Sequence, residues 1–187
     1  MAKLTTERLI LRRFRAEDGE DLYRYLSQET VVKYEPYGVF TREQSQTEAE
    51  RRATDSAFWA VCLKEEGTLI GNLYFQQQQP ERFGTWELGY VFNTEFQGQG
   101  YATEACRALL AYGFGELQIR RVIARCNPDN TSSWKLLERL SLRQEGHALQ
   151  TVFFKTDSSG APIWHDTFAY GMLASEWVPS SQLELQP

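Results

Sequence analysis

Apolar side chains recur along this chain with two periods, and the alternation between them marks out the elements. The apolar-rich run Leu9-Ile10-Leu11-Arg12-Arg13-Phe14 reads as an opening strand. From Glu17 to Leu26, Leu22, Tyr25 and Leu26 fall at helical spacing behind acidic residues that favour a helix start. Thr41 with Gln44 three residues on has the spacing of a capped N-terminus and predicts a second helix to about Asp55. Phe58 to Leu63 and Thr68 to Gln76 read as strands joined by the turn Lys64-Glu65-Glu66-Gly67, and Gln76 to Pro80 ends the second in a polar loop. A strand from Glu87 to Phe92, a helix from Ala102 through Ala111, a strand from Arg121 to Cys126 and a helix from Ser132 to Leu140 follow. Two last strands, about Ala148 to Lys155 and Trp164 to Leu173, flank a loop from Thr156 to Pro162. This order predicts a mixed α/β sheet in a single domain spanning 1–187, with a frayed tail over 178–187 rich in Pro, Ser and Gln.

Composition narrows the class. A chain of 187 residues buries a core without staples, and 42% hydrophobic against 24% charged residues excludes a disordered polypeptide. The formal net charge of −5 argues against direct nucleic-acid binding, which needs clustered Lys and Arg, and fits an amine-bearing partner. Cys62, Cys106 and Cys126 are odd in number and form no C-x-x-C, so they read as reduced thiols rather than a disulfide framework or zinc site. His147 and His165 are too few and too far apart for a metal cluster, and no metal is expected. Met1-Ala2-Lys3-Leu4 begins no signal peptide, and no apolar stretch approaches a membrane span; a soluble, cytoplasmic protein is expected.

The most informative residues are Phe96-Gln97-Gly98-Gln99-Gly100-Tyr101-Ala102-Thr103, between a strand and a helix. Glycines two apart let the backbone turn sharply and approach a ligand closely. The N–H groups that open the next helix then converge where its dipole favours negative charge, a cradle for a pyrophosphate. The same pattern also describes an ordinary strand-to-helix connection. A P-loop would need a following Gly-Lys-Ser/Thr, and a dinucleotide fingerprint a glycine or alanine where Thr103 stands.

Gln97-x-x-Gly100-x-Ala102 resembles the Arg/Gln-x-x-Gly-x-Gly/Ala signature of the GNAT acetyltransferase superfamily. Ile123 to Ser133 and then Leu136-Leu137-Glu138-Arg139-Leu140 resemble the Asn-x-x-Ser-x-x-x-Leu-Glu-Lys-Leu-Gly-Phe segment of its ribosomal-protein N-terminal acetyltransferase branch. Thr6 to Arg12 and Asp166 to Trp177 resemble that branch's opening and close, so the likeness covers about residues 5 to 177. It implies a twisted, mostly antiparallel sheet of about seven strands, splayed near the coenzyme strand and flanked by about four helices. It further implies acetyl-coenzyme A as cosubstrate, bound by Gln97, Gly98, Gln99, Gly100, Tyr101, Ala102 and Thr103, with main-chain groups of Val91 and Phe92 receiving the pantetheine amides as an added strand would. Asn130 caps the last helix by its position and contacts the coenzyme by resemblance. The likeness is compatible with a homodimer.

Acetyl transfer to an amine requires removal of a proton from the amine and an acid for the departing thiolate. Glu87, on the coenzyme strand between apolar neighbours that favour its neutral form, is the candidate base, with a solvated strand residue as its other reading. Leu137 stands where many family members carry a tyrosine acid, and Ser133 occupies the serine used instead in the ribosomal-protein branch. Asn127 is the candidate for holding the carbonyl or the incoming amine. Ser141-Leu142 replaces the family's Gly-Phe, at a cost of about 1 kcal/mol for a left-handed serine. Trp59, Trp86, Tyr90, Phe153, Phe154, Trp164 and Phe168 read as core and pocket walls, and Tyr34, Tyr37 and Phe40 as lining of the acceptor site.

The leading expectation is an acetyl-coenzyme-A-dependent N-acetyltransferase acting on a primary amine, either a protein N-terminus or a small molecule. Two other classes share the pattern: a coenzyme-binding sensor or scaffold without turnover, and an unrelated nucleotide-binding α/β module. The sequence does not name the acceptor.

Overall fold

Eight strands form one sheet in the computed structural model, which describes residues 3–179; the tail read as frayed falls almost entirely outside them. The elements in chain order are β1 (Leu4–Thr5), β2 (Leu9–Arg12), α1 (Gly19–Leu26), α2 (Glu29–Val32), α3 (Arg42–Thr54), β3 (Phe58–Leu63), β4 (Leu69–Gln77) and β5 (Thr85–Phe92). They continue as α4 (Tyr101–Gly115), β6 (Arg121–Cys126), α5 (Thr131–Arg139), β7 (Arg143–Thr156) and β8 (Pro162–Leu173). The strand order is β1-β2-β3-β4-β5-β6-β8-β7, and every neighbouring pair is antiparallel except β5 with β6.

Helices cover both faces. The stripe Ala105, Cys106, Leu109, Leu110 and Phe114 of α4, with Leu136 and Leu137 of α5, buries against Leu9, Leu11, Trp59, Leu73, Leu88 and Val122 of the sheet. On the opposite face Leu22, Tyr25 and Leu26 of α1 and Ala49 of α3 pack on Ala60, Cys62, Leu69 and Val91. Among the described residues no helix is long and apolar enough to cross a membrane.

Helix α3 begins as its sequence predicts, with Thr41 Oγ accepting from the Gln44 amide (3.2 Å) and the Gln44 side chain accepting from the Thr41 amide (2.8 Å). Its attachment to the sheet is polar. Only Ser45, Ala49 and Arg52 of α3 are buried. Arg52 reaches down so that its Nη1 donates to Asn72 Oδ1 on β4 (3.0 Å), the oxygen that also accepts from the Tyr25 hydroxyl (2.9 Å). Its Nε donates to Glu48 (2.6 Å), so the buried charge is paired and bonded.

Several expectations need correction. An eighth strand, β1, precedes the predicted opening strand, and α2 is a fifth helix of a single turn. β7 starts at Arg143 rather than Ala148, and the β7–β8 hairpin runs beyond β6, whose pairing with β8 stops at Cys126 and Phe168. With no layer over that extension among the described residues, Phe153 and Trp164 are exposed rather than core or pocket wall, while Phe154, also exposed, keeps its expected place in a cavity lining. Trp59 is buried, and Trp86, Tyr90 and Phe168 pack against the core as expected. Ser141 takes the left-handed conformation (φ 65°) that the missing glycine would have taken, and Leu142 still buries to 3% exposure, so the corner keeps its place.

Removal of the buried guanidinium tests the polar attachment. Arg52→Ala is expected to lower unfolding stability by about 3 kcal/mol, since it leaves Asn72 Oδ1 with the Tyr25 hydroxyl alone, takes one of two arginines from Glu48 and opens a space where the side chain was buried. Urea unfolding measures it, and a loss under about 0.5 kcal/mol would mean that α3 docks through its few apolar contacts instead.

Candidate functional site

Strands β5 and β6 run together for only three residue pairs, Thr85 with Arg121, Trp86 with Val122 and Glu87 with Ile123. Beyond them each strand keeps its outer partner, β5 bonding β4 as far as Phe92 and β6 bonding β8 as far as Cys126. The inner edges from Leu88 and from Ala124 therefore face each other unpaired across a gap. Main-chain donors and acceptors in such a gap require a partner, and a ligand carrying amides supplies one. A cavity of about 1690 Å³ passes through this gap, from the glycine turn on one side of the sheet to α3 and the segment after α2 on the other.

The glycine turn is built as its sequence implies. Gly98 and Gly100 both hold positive φ, 75° and 84°, and α4 starts at Tyr101 with no side chain capping it. The first amide of α4 to find a main-chain acceptor is that of Glu104, bonded to the Gly100 carbonyl (3.0 Å). The amides of Tyr101, Ala102 and Thr103 precede the helical ladder and line the cavity's mouth. Gln97 turns inward, its Nε2 donating to the Phe92 carbonyl (3.0 Å), so it fixes the turn to the end of β5.

A buttress that sequence reading missed stands behind this turn. Arg8 donates from Nε to Glu104 (2.7 Å) and from Nη1 to the Gln99 carbonyl (3.0 Å), with its guanidinium 4.4 Å over the Tyr101 ring. Glu104 also accepts from the Thr6 hydroxyl (2.6 Å). Burial pushes this carboxyl's pKa up, but the bonds from Thr6 and Arg8 outweigh it and hold the group below its ordinary value. The negative charge in the helix's first turn is thus tied down behind the cradle.

Across the gap, Asn130 caps α5, its Oδ1 accepting from the Ser133 amide (3.2 Å) and the Ser132 hydroxyl (3.0 Å). Ser133 Oγ lies 2.9 Å from the Tyr90 hydroxyl, which also donates to the Ser133 carbonyl (3.0 Å). Burial raises the Tyr90 phenol well above its usual value, so it stays protonated and remains a donor. Burial likewise lifts the neighbouring Cys126 thiol to about 11, against a lowering hydrogen bond from Ser133. Leu137 is fully buried in the core and carries no chemistry. The sequence read Tyr90 only as a core or pocket-wall aromatic, and its meeting with Ser133, 43 residues on, is a tertiary fact.

On the far side of the sheet Glu87 does not sit in apolar surroundings. Its Oε1 accepts from Arg125 Nη1 at 2.8 Å. Asn127 joins the cavity with Nδ2 against His165 Nδ1 (3.2 Å) and Oδ1 accepting from the Asp129 amide (2.8 Å). The Tyr34 hydroxyl reaches across to the Asp129 carbonyl (3.2 Å), strapping the segment after α2 to the β6–α5 loop. Tyr34, Tyr37 and Phe40 all line the cavity. Glu35, absent from the sequence reading because nothing in its loop is periodic, lines it too, and burial raises its carboxyl to about 7 against the opposing pull of Tyr37 and Arg52. Among the described residues no group of three or more His, Cys, Asp or Glu is placed to hold a metal.

Solved structures and related sequences give the class to which this architecture belongs. The crystal structure of an acetyltransferase (GNAT family) from Bacillus anthracis matches with a TM-score of 0.85 at 33% identity, covering 94% of this chain and all of that one. The N-acetyltransferase YnaD of Bacillus subtilis (strain 168) is 38% identical over 175 residues, 93% of this chain and 98% of that protein. The ribosomal protein uS5-alanine N-acetyltransferase of Escherichia coli (strain K12) is 26% identical over 191 residues, 95% of this chain and 93% of its own length. The chain is an acetyltransferase by class. The family described as Acetyltransferase (GNAT) domain matches residues 8–143, and the protein belongs to that family, whose cosubstrate is acetyl-coenzyme A.

A side chain at Gly100 would need a left-handed backbone, costing about 1–2 kcal/mol, and its Cβ would meet Arg8 Nη2 at 3.4 Å, against the buttress that holds the turn. Gly100→Val is expected to keep its circular dichroism spectrum and lose at least tenfold in coenzyme A affinity by calorimetry. A folded variant that binds within twofold of the parent would remove the turn from the coenzyme site.

Proposed function

We propose that this acetyltransferase moves the acetyl group of acetyl-coenzyme A directly onto a primary amine, on a protein N-terminus or a small molecule. The carrying observation is the pair of unpaired strand edges opening beside an uncapped helix N-terminus, which together match an amide-bearing arm joined to a pyrophosphate. In this reading Gly98, Gln99, Gly100, Tyr101, Ala102 and Thr103 cradle the pyrophosphate, with Gln97 holding the turn in place. The main chain of Val91 and Phe92 receives the pantetheine amides. Asn130 fixes the first turn of α5 against the coenzyme. The reaction is placed in the cytoplasm, consistent with three free cysteines.

The chemistry follows from the same groups. The amine nitrogen attacks the thioester carbonyl carbon, a C–N bond forms, and the C–S bond breaks with its electrons on sulfur. Ser133, held by the buried Tyr90 hydroxyl, gives the sulfur a proton, and the proton that the nitrogen loses as the amide forms restores Ser133 through solvent. Glu87, fixed by Arg125, accepts a hydrogen bond from the incoming amine, and Asn127, held by His165, orients the carbonyl.

Release of free thiol from acetyl-coenzyme A over a panel of peptide N-termini and free amines, against a no-acceptor blank, tests the proposal. Ser133→Ala is expected to lower kcat about 10²-fold while coenzyme A affinity changes less than threefold. Tyr90→Phe should lower kcat by a smaller factor. A Ser133→Ala variant that loses affinity and keeps kcat would make this hydroxyl a binding group only.

A further inference from the structure

The cavity continues past Gly89 and Val91 to the α3 face of the sheet, and its carboxylates there are not equivalent. Glu87 is paired with Arg125, and Glu48 with both Arg51 and Arg52. Glu104, at the coenzyme end, is paired with Arg8. Glu35 has no basic group within 4.0 Å among the described residues, and the guanidinium nearest in influence, that of Arg52, is already bonded to Glu48 and Asn72. A half-buried carboxylate in a ligand cavity, with Tyr37 beside it but no counter-ion, is favoured in its charged form when a cation joins it.

What surrounds it limits that cation. Tyr37, Phe40, Phe58 and Tyr74 wall this end of the cavity. Arg51 and Arg52 lie over Phe58, 4.9 and 4.6 Å from its centroid, so fixed positive charge stands a short way off. One positive charge is matched by Glu35, while a second or third on the same ligand would meet these arginines. The walls favour an apolar or aromatic frame.

We propose that Glu35 receives the ammonium group of the acceptor and takes its proton, and that the acceptor is a primary monoamine on an apolar or aromatic carbon frame. This rests on the acetyl transfer proposed above and names its acceptor class. The ammonium gives one proton to the carboxylate, the freed nitrogen pair attacks the thioester carbon, the C–S bond breaks as Ser133 protonates the sulfur, and the second nitrogen proton restores Ser133 through solvent. A carboxyl that burial holds near 7 is divided between its two forms at neutral pH, as a proton acceptor must be. The groups that act on it are Tyr37 of its own segment and Arg52 of α3, and the other charged and titratable groups lining this end of the cavity are Tyr34 of its own segment, Glu48 and Arg51 of α3, Tyr74 of β4 and Glu87 of β5. A small arylalkylamine and a peptide with an apolar N-terminal residue present the same chemistry.

Calorimetry on the full-length protein saturated with coenzyme A tests this with phenethylamine, phenylalanyl-alanine amide, 2-phenylethanol and spermidine. At least one of the two aromatic amines should bind ten times more tightly than the alcohol and spermidine, and which of them does so identifies the source. Its affinity should rise about tenfold from pH 6 to pH 8 as Glu35 ionises, because the proton must leave the carboxyl before the ammonium pairs with it. Glu35→Gln should abolish that rise and lower affinity at pH 8 at least tenfold, with coenzyme A binding within twofold of the parent. Glu87→Gln should leave the pH dependence in place. A Glu35→Gln variant that keeps the rise, or a parent that prefers spermidine or the alcohol, overturns the inference alone. A parent that fails to bind coenzyme A overturns the acetyl-transfer reading and this inference with it.

Discussion

The structure turns on one failure of pairing. A parallel ladder between β5 and β6 starts at Thr85 and Arg121 and stops after Glu87 and Ile123, although both strands continue for several residues. Each strand is held firmly by its outer antiparallel neighbour, so the two edges diverge without unfolding. Buried main-chain groups are rarely left without partners. The sheet is therefore built to accept a strand-like ligand at that point, and neighbouring features serve the opening. The glycine turn delivers the start of α4 to one mouth of it, while the Asn130 cap after β6 sets Ser133, whose hydroxyl meets Tyr90 of β5 across the gap.

Charge is organised around the opening by pairing rather than by net excess. The formal charge of −5 says little about the cavity, where Arg8 neutralises Glu104, Arg125 faces Glu87 and Glu48 ties two arginines of α3. The pairing leaves the amides of the glycine turn, together with Arg107 and Arg139 in the cavity wall, as sources of positive potential at the coenzyme end. It leaves Glu35 as the unmatched carboxylate at the acceptor end. Two ends of one cavity thus differ in sign, as transfer from an anionic coenzyme to a cationic acceptor requires.

Much of this was legible in the chain. The capping pair Thr41 and Gln44, the glycine turn and the Asn130–Ser133 spacing each encode local geometry, and each takes its expected form. The left-handed Ser141 was legible for the same reason. What was hidden depends on partners distant in sequence or on the lack of a covered face. The β7–β8 hairpin alternates no buried face, so its length and its exposed Phe153, Phe154 and Trp164 carried no periodic signal. Arg52 reads as one more charge on a polar helix, and only the fold brings it to Asn72 on β4. Glu87 had apolar sequence neighbours, but its effective neighbour is Arg125, 38 residues later. The bonds of Arg8 and of the Tyr90 hydroxyl, and Glu35 itself, escaped notice similarly, since their roles exist only once the sheet and its two helical layers are assembled.

The central claim is that the coenzyme completes the unpaired edge of β5 beside the glycine turn. Amide hydrogen exchange with and without coenzyme A tests this directly, because each new main-chain bond slows the amide that makes it. The account predicts slowed exchange in peptides covering residues 88–92 and 98–103, with β2 and β3 on the other side of the sheet unchanged. Binding of coenzyme A that protects neither of those segments, or protects only residues remote from the gap, would contradict it.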